Sequence, residues 1–379
     1  MRTIKIFHVA SFTGNIGDNA SHLGLYNVLK TVLGDRLDIE QVEIRRFYKK
    51  YSLADKMNFD LEFTQKANAK DLLIFGGGGF LDYWVPNSET GTTFDMSDEI
   101  LDKLIVPTLF VSVGCMPHQP VPEGNIDKFH HFLQKIGSKK NMRIAVRNDG
   151  SILEIKRLFG GEFEGTITEI LDNGFFYEPS LKFNCRLLEK PYIAINTTLD
   201  QLIMKNRMIG NVNYFQLREE LLSLLQRIID ETDYSLVFVP HIFKDLQAFR
   251  ELLEGMNDFY VRSRVAIAPY LQGDYGCNYL MSVYHQANSV LSMRFHANVC
   301  PLSMGKRTVG LAALDRVVHM YNSIGKSSDC IPANDKFADK VYKKLINISP
   351  NNSDTLISER KAQSLNTYMK LLSEMGLLN

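Results

Sequence analysis

The chain lacks any apolar run approaching the roughly 18 residues that a membrane-spanning helix requires. Its first residues, Met1-Arg-Thr-Ile-Lys-Ile-Phe-His-Val-Ala10, enter an alternating strand pattern without a signal-peptide core, so neither export nor a membrane span is expected. Cysteine is scarce: Cys115, Cys185, Cys277, Cys300 and Cys330 are scattered, odd in number and never in a Cys-x-x-Cys spacing. Such thiols suit a reduced, cytoplasmic setting rather than a disulfide framework. The sequons Asn19-Ala-Ser21 and Asn196-Thr-Thr198 are then chance matches. Neither sign of charge is in excess, because Lys plus Arg and Asp plus Glu both total 43, and no general field for holding nucleic acid results. His-Glu-x-x-His, cysteine clusters and a clean Asp-x-Asp are missing, and the adjacent His130 and His131 lack helical ligand spacing. No protein-bound metal is therefore expected. The absence of Gly-x-Gly-x-x-Gly, Walker and Gly-x-Ser-x-Gly sequences argues against dinucleotide, P-loop and serine-hydrolase chemistry.

What is present is a regular alternation of strand-like and helix-like segments, the pattern of parallel βα units. With 379 residues the chain exceeds what one core usually supports. The segment Tyr177–Pro191 breaks the alternation and carries two prolines, which places a linker there. The expected fold is α/β, with two doubly wound Rossmann-like halves facing a cleft. One spans residues 1–180, the other 190–350, and 354–379 forms a terminal helix. Ligands are expected at the carboxyl ends of the strands.

Several of those strand ends carry chemistry. The first strand leads into Thr13-Gly14-Asn15-Ile16-Gly17-Asp18-Asn19, where glycines bring backbone N–H groups to a helix N-terminus and Asp18 and Asn19 offer groups that bind hydroxyls. Asp18 also reads as a simple helix cap. Leu72–Phe75 runs into Gly76, Gly77, Gly78 and Gly79, more glycine than a turn needs, which implies close approach by a ligand or an opposing loop. Asp82, Tyr83 and Trp84 follow, a carboxylate and aromatics suited to a sugar's hydroxyls and apolar face. Arg147 ends a strand at Ile144-Ala-Val-Arg147-Asn-Asp149, where either a ligand anion or a neighbouring carboxylate would hold it. His241 follows the strand Leu236–Val239. Ser289-Val-Leu-Ser-Met-Arg294-Phe-His296 ends in a fork-shaped cation and an imidazole two residues apart, which an extended strand would place on one face.

Taken in order, Gly14-Asn-Ile-Gly-Asp18, Gly76-Gly-Gly-Gly-Phe80, Val146-Arg147-Asn-Asp-Gly-Ser151, Val239-Pro-His241 with Asp245, and Ser292-Met-Arg294-Phe-His296-Ala297 resemble the polysaccharide pyruvyl transferase family. The resemblance spans about residues 10 to 325 and implies a GT-B-like fold. It also implies transfer of the pyruvyl group of phosphoenolpyruvate onto sugar hydroxyls as a ketal, with release of phosphate and no cofactor beyond phosphoenolpyruvate as co-substrate. By position it assigns Arg147, Arg294 and His296 to phosphoenolpyruvate. The family's lysine after the arginine-histidine segment is replaced here by Arg316 in Leu314-Asp-Arg316, which keeps the charge but not an exchangeable proton.

On this reading His296 protonates the methylene carbon, Arg294 and Arg147 clamp the anion, and Asp18 orients or deprotonates the acceptor hydroxyl. Gly14, Asn15, Gly17, Asn19, Gly77, Gly78, Gly79, Asp82, Trp84 and His241 are expected on the acceptor side. The implied acceptor is a saccharide of a cell-surface or capsular polysaccharide, free or lipid-linked. The basic, aromatic run Arg45-Arg46-Phe-Tyr-Lys49-Lys50 would then touch an anionic inner membrane face, although a solvated surface explains it as well. A GT-B glycosyltransferase using a nucleotide sugar and a catalytically silent sugar-phosphate-binding protein are the competing readings.

Overall fold

A computed structural model describes residues 2–180, 182–183, 187–201, 214–333, 336–346 and 354–378. Its helices are α1 (Ile16–Leu33), α2 (Leu61–Asn68), α3 (Asp98–Lys103), α4 (Asn125–Gly137) and α5 (Ser151–Phe159), then α6 (Tyr214–Glu231), α7 (Asp245–Leu253), α8 (Asp258–Arg264), α9 (Gly273–Gln286), α10 (Phe295–Ser303), α11 (Asp315–Ser323), α12 (Ala338–Ile346) and α13 (Asp354–Glu374). The strands of the first sheet are β1 (Ile4–Ala10), β2 (Leu37–Glu43), β3 (Leu72–Gly78), β4 (Thr108–Val113), β5 (Met142–Arg147) and β6 (Ile167–Ile170). Those of the second are β7 (Tyr192–Asn196), β8 (Ser235–Phe238), β9 (Val265–Ile267), β10 (Ser289–Ser292), β11 (Thr308–Ala312) and β12 (Cys330–Pro332).

Every strand pairing is parallel. Central parallel strands are covered on both faces, so they read as unbroken apolar runs. Leu72, Leu73, Ile74 and Phe75 of β3 are all fully buried, as are Ile193, Ala194 and Ile195 of β7. Helix α6 presents one apolar stripe, with Leu217, Leu221, Leu224, Leu225 and Ile228 buried against the second sheet's core.

The first sheet has the order β2-β1-β3-β4-β5-β6 and the second β12-β11-β10-β7-β8-β9. Both are Rossmann-like. In each, the order reverses at one point, between β1 and β3 in the first and between β7 and β10 in the second. Ligands of open α/β sheets bind outside the carboxyl ends of the strands at that reversal.

The chain forms two compact units. One comprises Met1–Phe12, Gly24–Asn173 and Arg360–Asn379, and the other Thr13–Leu23 and Gly174–Glu359. A linker-based division assigns the loop after β1 to the first half. By contacts, that loop and the start of α1 belong with the second sheet, while most of α13 belongs with the first. Ile16 and Ala20 are accordingly buried in a cluster with Val237, Val290 and Ala297.

Among the described residues no helix is long and apolar enough to cross a membrane. Cys115, Cys277 and Cys300 are buried free thiols and Cys330 is partly buried, while Cys185 lies outside the described residues.

Candidate functional site

The second unit gathers its polar groups at the reversal between β7 and β10. Asn196, the last residue of β7, ties three strand ends together. Its carbonyl accepts from Met293 N–H at 3.0 Å, its Oδ1 from Arg294 N–H at 3.2 Å, and its Nδ2 donates to Val239 O at 3.0 Å. Arg294 thereby leaves β10 on a fixed backbone.

The Arg294 side chain is enclosed by carboxylates. Nε donates to both oxygens of Asp245 at 2.9 Å, and Nη2 reaches Asp245 Oδ1 at 2.5 Å, Thr198 Oγ1 at 2.7 Å and Asp200 Oδ1 at 3.0 Å. Burial works against its charge, but Asp245 and Asp200 outweigh burial and raise its pKa. Nη1 has no acceptor among the described residues, so one arm of the fork is left for a ligand. Asp245 is fully buried and also accepts from the N–H groups of His241 at 2.8 Å and Ile242 at 3.2 Å. One carboxylate thus orients the arginine and the loop that carries His241.

Arg294 and His296 do not share a strand face, as an extended segment would require. β10 ends at Ser292, Arg294 is the N-cap residue of α10, and His296 lies in that helix's first turn. The imidazole packs against the start of α1: a Cβ on Gly17 would lie 2.6 Å from His296 Cβ and 2.7 Å from its Nδ1. Gly17 therefore owes its identity to the neighbouring ring. Asp18 faces the same imidazole, with Oδ1 3.8 Å from Nδ1, a charge-pair distance too long for a hydrogen bond.

Asp18 does not cap α1. The helix begins at Ile16, and Asn15 fills the cap role, its Oδ1 accepting from Gly17 N–H at 3.0 Å while its Nδ2 donates to Asp18 Oδ1 at 3.1 Å. Ile16 N–H donates to His241 O at 3.3 Å, and Asn19 Nδ2 to Asp274 Oδ1 at 3.0 Å. Gly14 supplies the left-handed turn before the helix, at φ 84°.

His241 is fully buried, with Nε2 2.9 Å from the Tyr284 hydroxyl. Burial, then the nearby Arg294 and His296, push its pKa well below the usual histidine value. It is a neutral wall of the site rather than an acid. Arg316 sits in the first turn of α11, after β11 of the same sheet.

Replacing Gly17 by alanine must displace His296. The expected result is a loss of about 1–3 kcal/mol in stability and of at least about tenfold in turnover, read from thermal unfolding and steady-state rates of the same preparations.

The glycines after Phe75 have a local cause. β3 continues through Gly78, and a Cβ on Gly76 would lie 2.6 Å from Val111 O of the adjacent β4, while one on Gly78 would strike the Phe80 ring at 2.7 Å. Gly77 adopts φ 75°, and a Cβ on Gly79 would lie 3.1 Å from Asp82 Oδ2. At Gly76, Gly78 and Gly79 the close approach comes from the unit's own strand and loop. Asp82 is buried and accepts from Met116 N–H at 2.7 Å, with His118 Nδ1 3.0 Å from its other oxygen. Tyr83 is buried, stacked on Phe129 at 5.4 Å and bonded to Glu154, so it belongs to the core rather than to a sugar site.

Arg147, also in the first unit, is 3% exposed. Its Nε donates to Asp149 Oδ2 at 2.6 Å, and its Nη1 lies 3.8 Å from Asp172 Oδ2. The basic run after β2 is largely neutralised in place: Arg45 pairs with Glu43 at 3.0 Å, Arg46 with Asp55 at 3.2 Å and Lys49 with Asp95 at 3.1 Å.

Sequence reasoning passed over Asn196, Thr198, Asp200 and His118. The first two lay inside the Asn196-Thr-Thr198 match that glycosylation chemistry made easy to dismiss. A Thr-x-Asp directly after a strand was the available signal for Thr198 and Asp200.

A family model described as polysaccharide pyruvyl transferase matches residues 15–315. No curated protein sequence matches the chain. Among solved structures, the UDP-GlcNAc 2-epimerase of Methanocaldococcus jannaschii is similar at a TM-score of 0.58 and 11% identity, covering 98% of this chain and 99% of that one. The UDP-GlcNAc 2-epimerase of Neisseria meningitidis bound to UDP-GlcNAc gives 0.54 at 12% identity, with 97% and 100% covered. Anabaena Alr3699/HepE in complex with UDP and glucose gives 0.51 at 11% identity, with 98% and 97% covered. At these identities the likeness is one of fold, the two Rossmann-like halves of GT-B type.

Proposed function

The chain belongs to the polysaccharide pyruvyl transferase family, and from that premise we propose that it transfers the pyruvyl group of phosphoenolpyruvate to two hydroxyls of a saccharide. The observation that carries this reading is the meeting of Arg294, His296 and Asp18 at the strand-order reversal of the second sheet. Phosphoenolpyruvate is a compact anion with a carboxylate and a phosphate. The free Nη1 of Arg294 and the N-terminus of α10 are suited to one of those groups. Because Asp245 and Asp200 already balance the guanidinium, the arginine serves as an oriented donor more than as a surplus charge.

His296 then gives a proton to the methylene carbon of phosphoenolpyruvate. The adjoining carbon gains oxocarbenium character, and a sugar hydroxyl adds to it. The carbon–oxygen bond to phosphate breaks, and the second hydroxyl closes the ketal. Two hydroxyl protons are released overall; one balances the proton now on the methyl carbon and the other leaves on phosphate. Asp18, 3.8 Å from His296 Nδ1, is placed to stabilise the protonated imidazole before transfer. Arg316, at the position where the family carries a lysine, keeps the charge but cannot exchange a proton.

Incubation with phosphoenolpyruvate and a panel of glycosides, free and lipid-linked, tests the reaction. The expected result is acceptor-dependent phosphate release with a product mass gain of pyruvate minus water. Release of a nucleoside diphosphate from a UDP-sugar, with no phosphate from phosphoenolpyruvate, would replace this reading with a glycosyltransferase.

A further inference from the structure

We propose that His118, Asp82 and Trp84 form a pyranose-binding subsite in the first unit, a reading that rests on the acceptor being a saccharide. The three residues come from the loops that leave β3 and β4 at the carboxyl edge of the first sheet, the edge where open α/β sheets bind ligands. Asp82 is 1% exposed, and two contacts hold it in place: Met116 N–H at 2.7 Å on Oδ1, and His118 Nδ1 at 3.0 Å from Oδ2. Gly79 leaves room for that carboxylate, since a Cβ there would come within 3.1 Å of Oδ2.

A buried carboxylate against one ring nitrogen fixes the imidazole's orientation. The His118 side chain is 20% exposed, so this oriented imidazole meets solvent. Trp84 stands beside it, ring centroids 5.4 Å apart at 68°. Its indole Nε1–H is buried without an acceptor among the described residues. What the partly exposed indole offers a ligand is therefore ring surface rather than a donor.

An apolar ring surface next to an oriented hydrogen-bonding imidazole matches a pyranose, which has an apolar face and hydroxyls around its edge. The buried Asp82 charge disfavours an anion at the same place. Phosphoenolpyruvate is thus the wrong occupant here, and a neutral sugar the right one.

Trp84 is the chain's single tryptophan, so its fluorescence reports this place alone. Titration of the full chain with methyl pyranosides and short oligosaccharides, without phosphoenolpyruvate, is expected to give a saturable change in emission. In His118→Gln, with unchanged circular dichroism and melting, the apparent dissociation constant should rise about fivefold for the lost hydrogen bond. Trp84→Ala, followed calorimetrically, should abolish saccharide binding. No saturable change in the unaltered protein, equal binding by His118→Gln, or the same change from phosphoenolpyruvate or a nucleoside would overturn the proposal. The titration needs no turnover, so a failed phosphoenolpyruvate assay and a failed subsite give different results.

Discussion

His296→Gln is expected to reduce phosphoenolpyruvate-dependent ketal formation by about two or more orders of magnitude while leaving the fold in place. Glutamine retains a polar, similarly sized side chain at a position that is 5% exposed in the first turn of α10. It can hydrogen-bond an anion but cannot release a proton to carbon. The loss should therefore fall on kcat, with KM for phosphoenolpyruvate changing less. Parallel measurement of kcat, KM and melting temperature separates this from a packing defect, because a disturbed contact with Gly17 would lower stability as well. Near-normal turnover would remove His296 as the acid. Arg294 and Arg316 could not inherit the role, since guanidinium stays protonated.

Legibility in the sequence followed burial. β3 was readable because a strand covered on both faces is a continuous apolar run. β2, with exposed alternate residues, and the short β6 and β12 were not, because their pairing comes from the neighbouring strand rather than from their own pattern. The start of α10 was hidden for a different reason. Its cap residue is Arg294, which makes no side-chain capping bond, and Pro301 stands inside the helix, so both local signals pointed away from helix.

Residue types at the strand ends were visible, but their partners were not. Asp245 and Asp200 reach Arg294 across 49 and 94 residues of sequence, a separation at which no spacing rule operates. His118 was missed because it follows Pro117 in a loop with no periodicity, and only the fold brings it to Asp82.

Arg147→Met is expected to act on stability before chemistry. The guanidinium lies between Asp149 and Asp172, both fully buried, and against Gly114, where a Cβ would meet Nη2 at 2.8 Å. Asp149 is further held by Ser151 N–H at 3.2 Å, and Asp172 by the Ser112 hydroxyl at 3.1 Å. Those bonds orient the carboxylates but do not neutralise them. Removing the cation strands two buried charges, a change that costs about 3–5 kcal/mol and lowers the melting temperature by about 6–20 °C. Asp149→Asn introduced together with Arg147→Met should recover much of that loss, because it removes one of the stranded charges. An anion clamp would behave in the opposite way. A cation held ready for phosphoenolpyruvate would give a variant of nearly normal stability with a KM for phosphoenolpyruvate at least about tenfold higher, the worth of one charge-assisted hydrogen bond. Cooperative unfolding of Arg147→Met at the normal temperature would therefore return Arg147 to the substrate. Early unfolding, relieved by the second substitution, makes it the internal counter-ion of the first sheet's carboxyl edge.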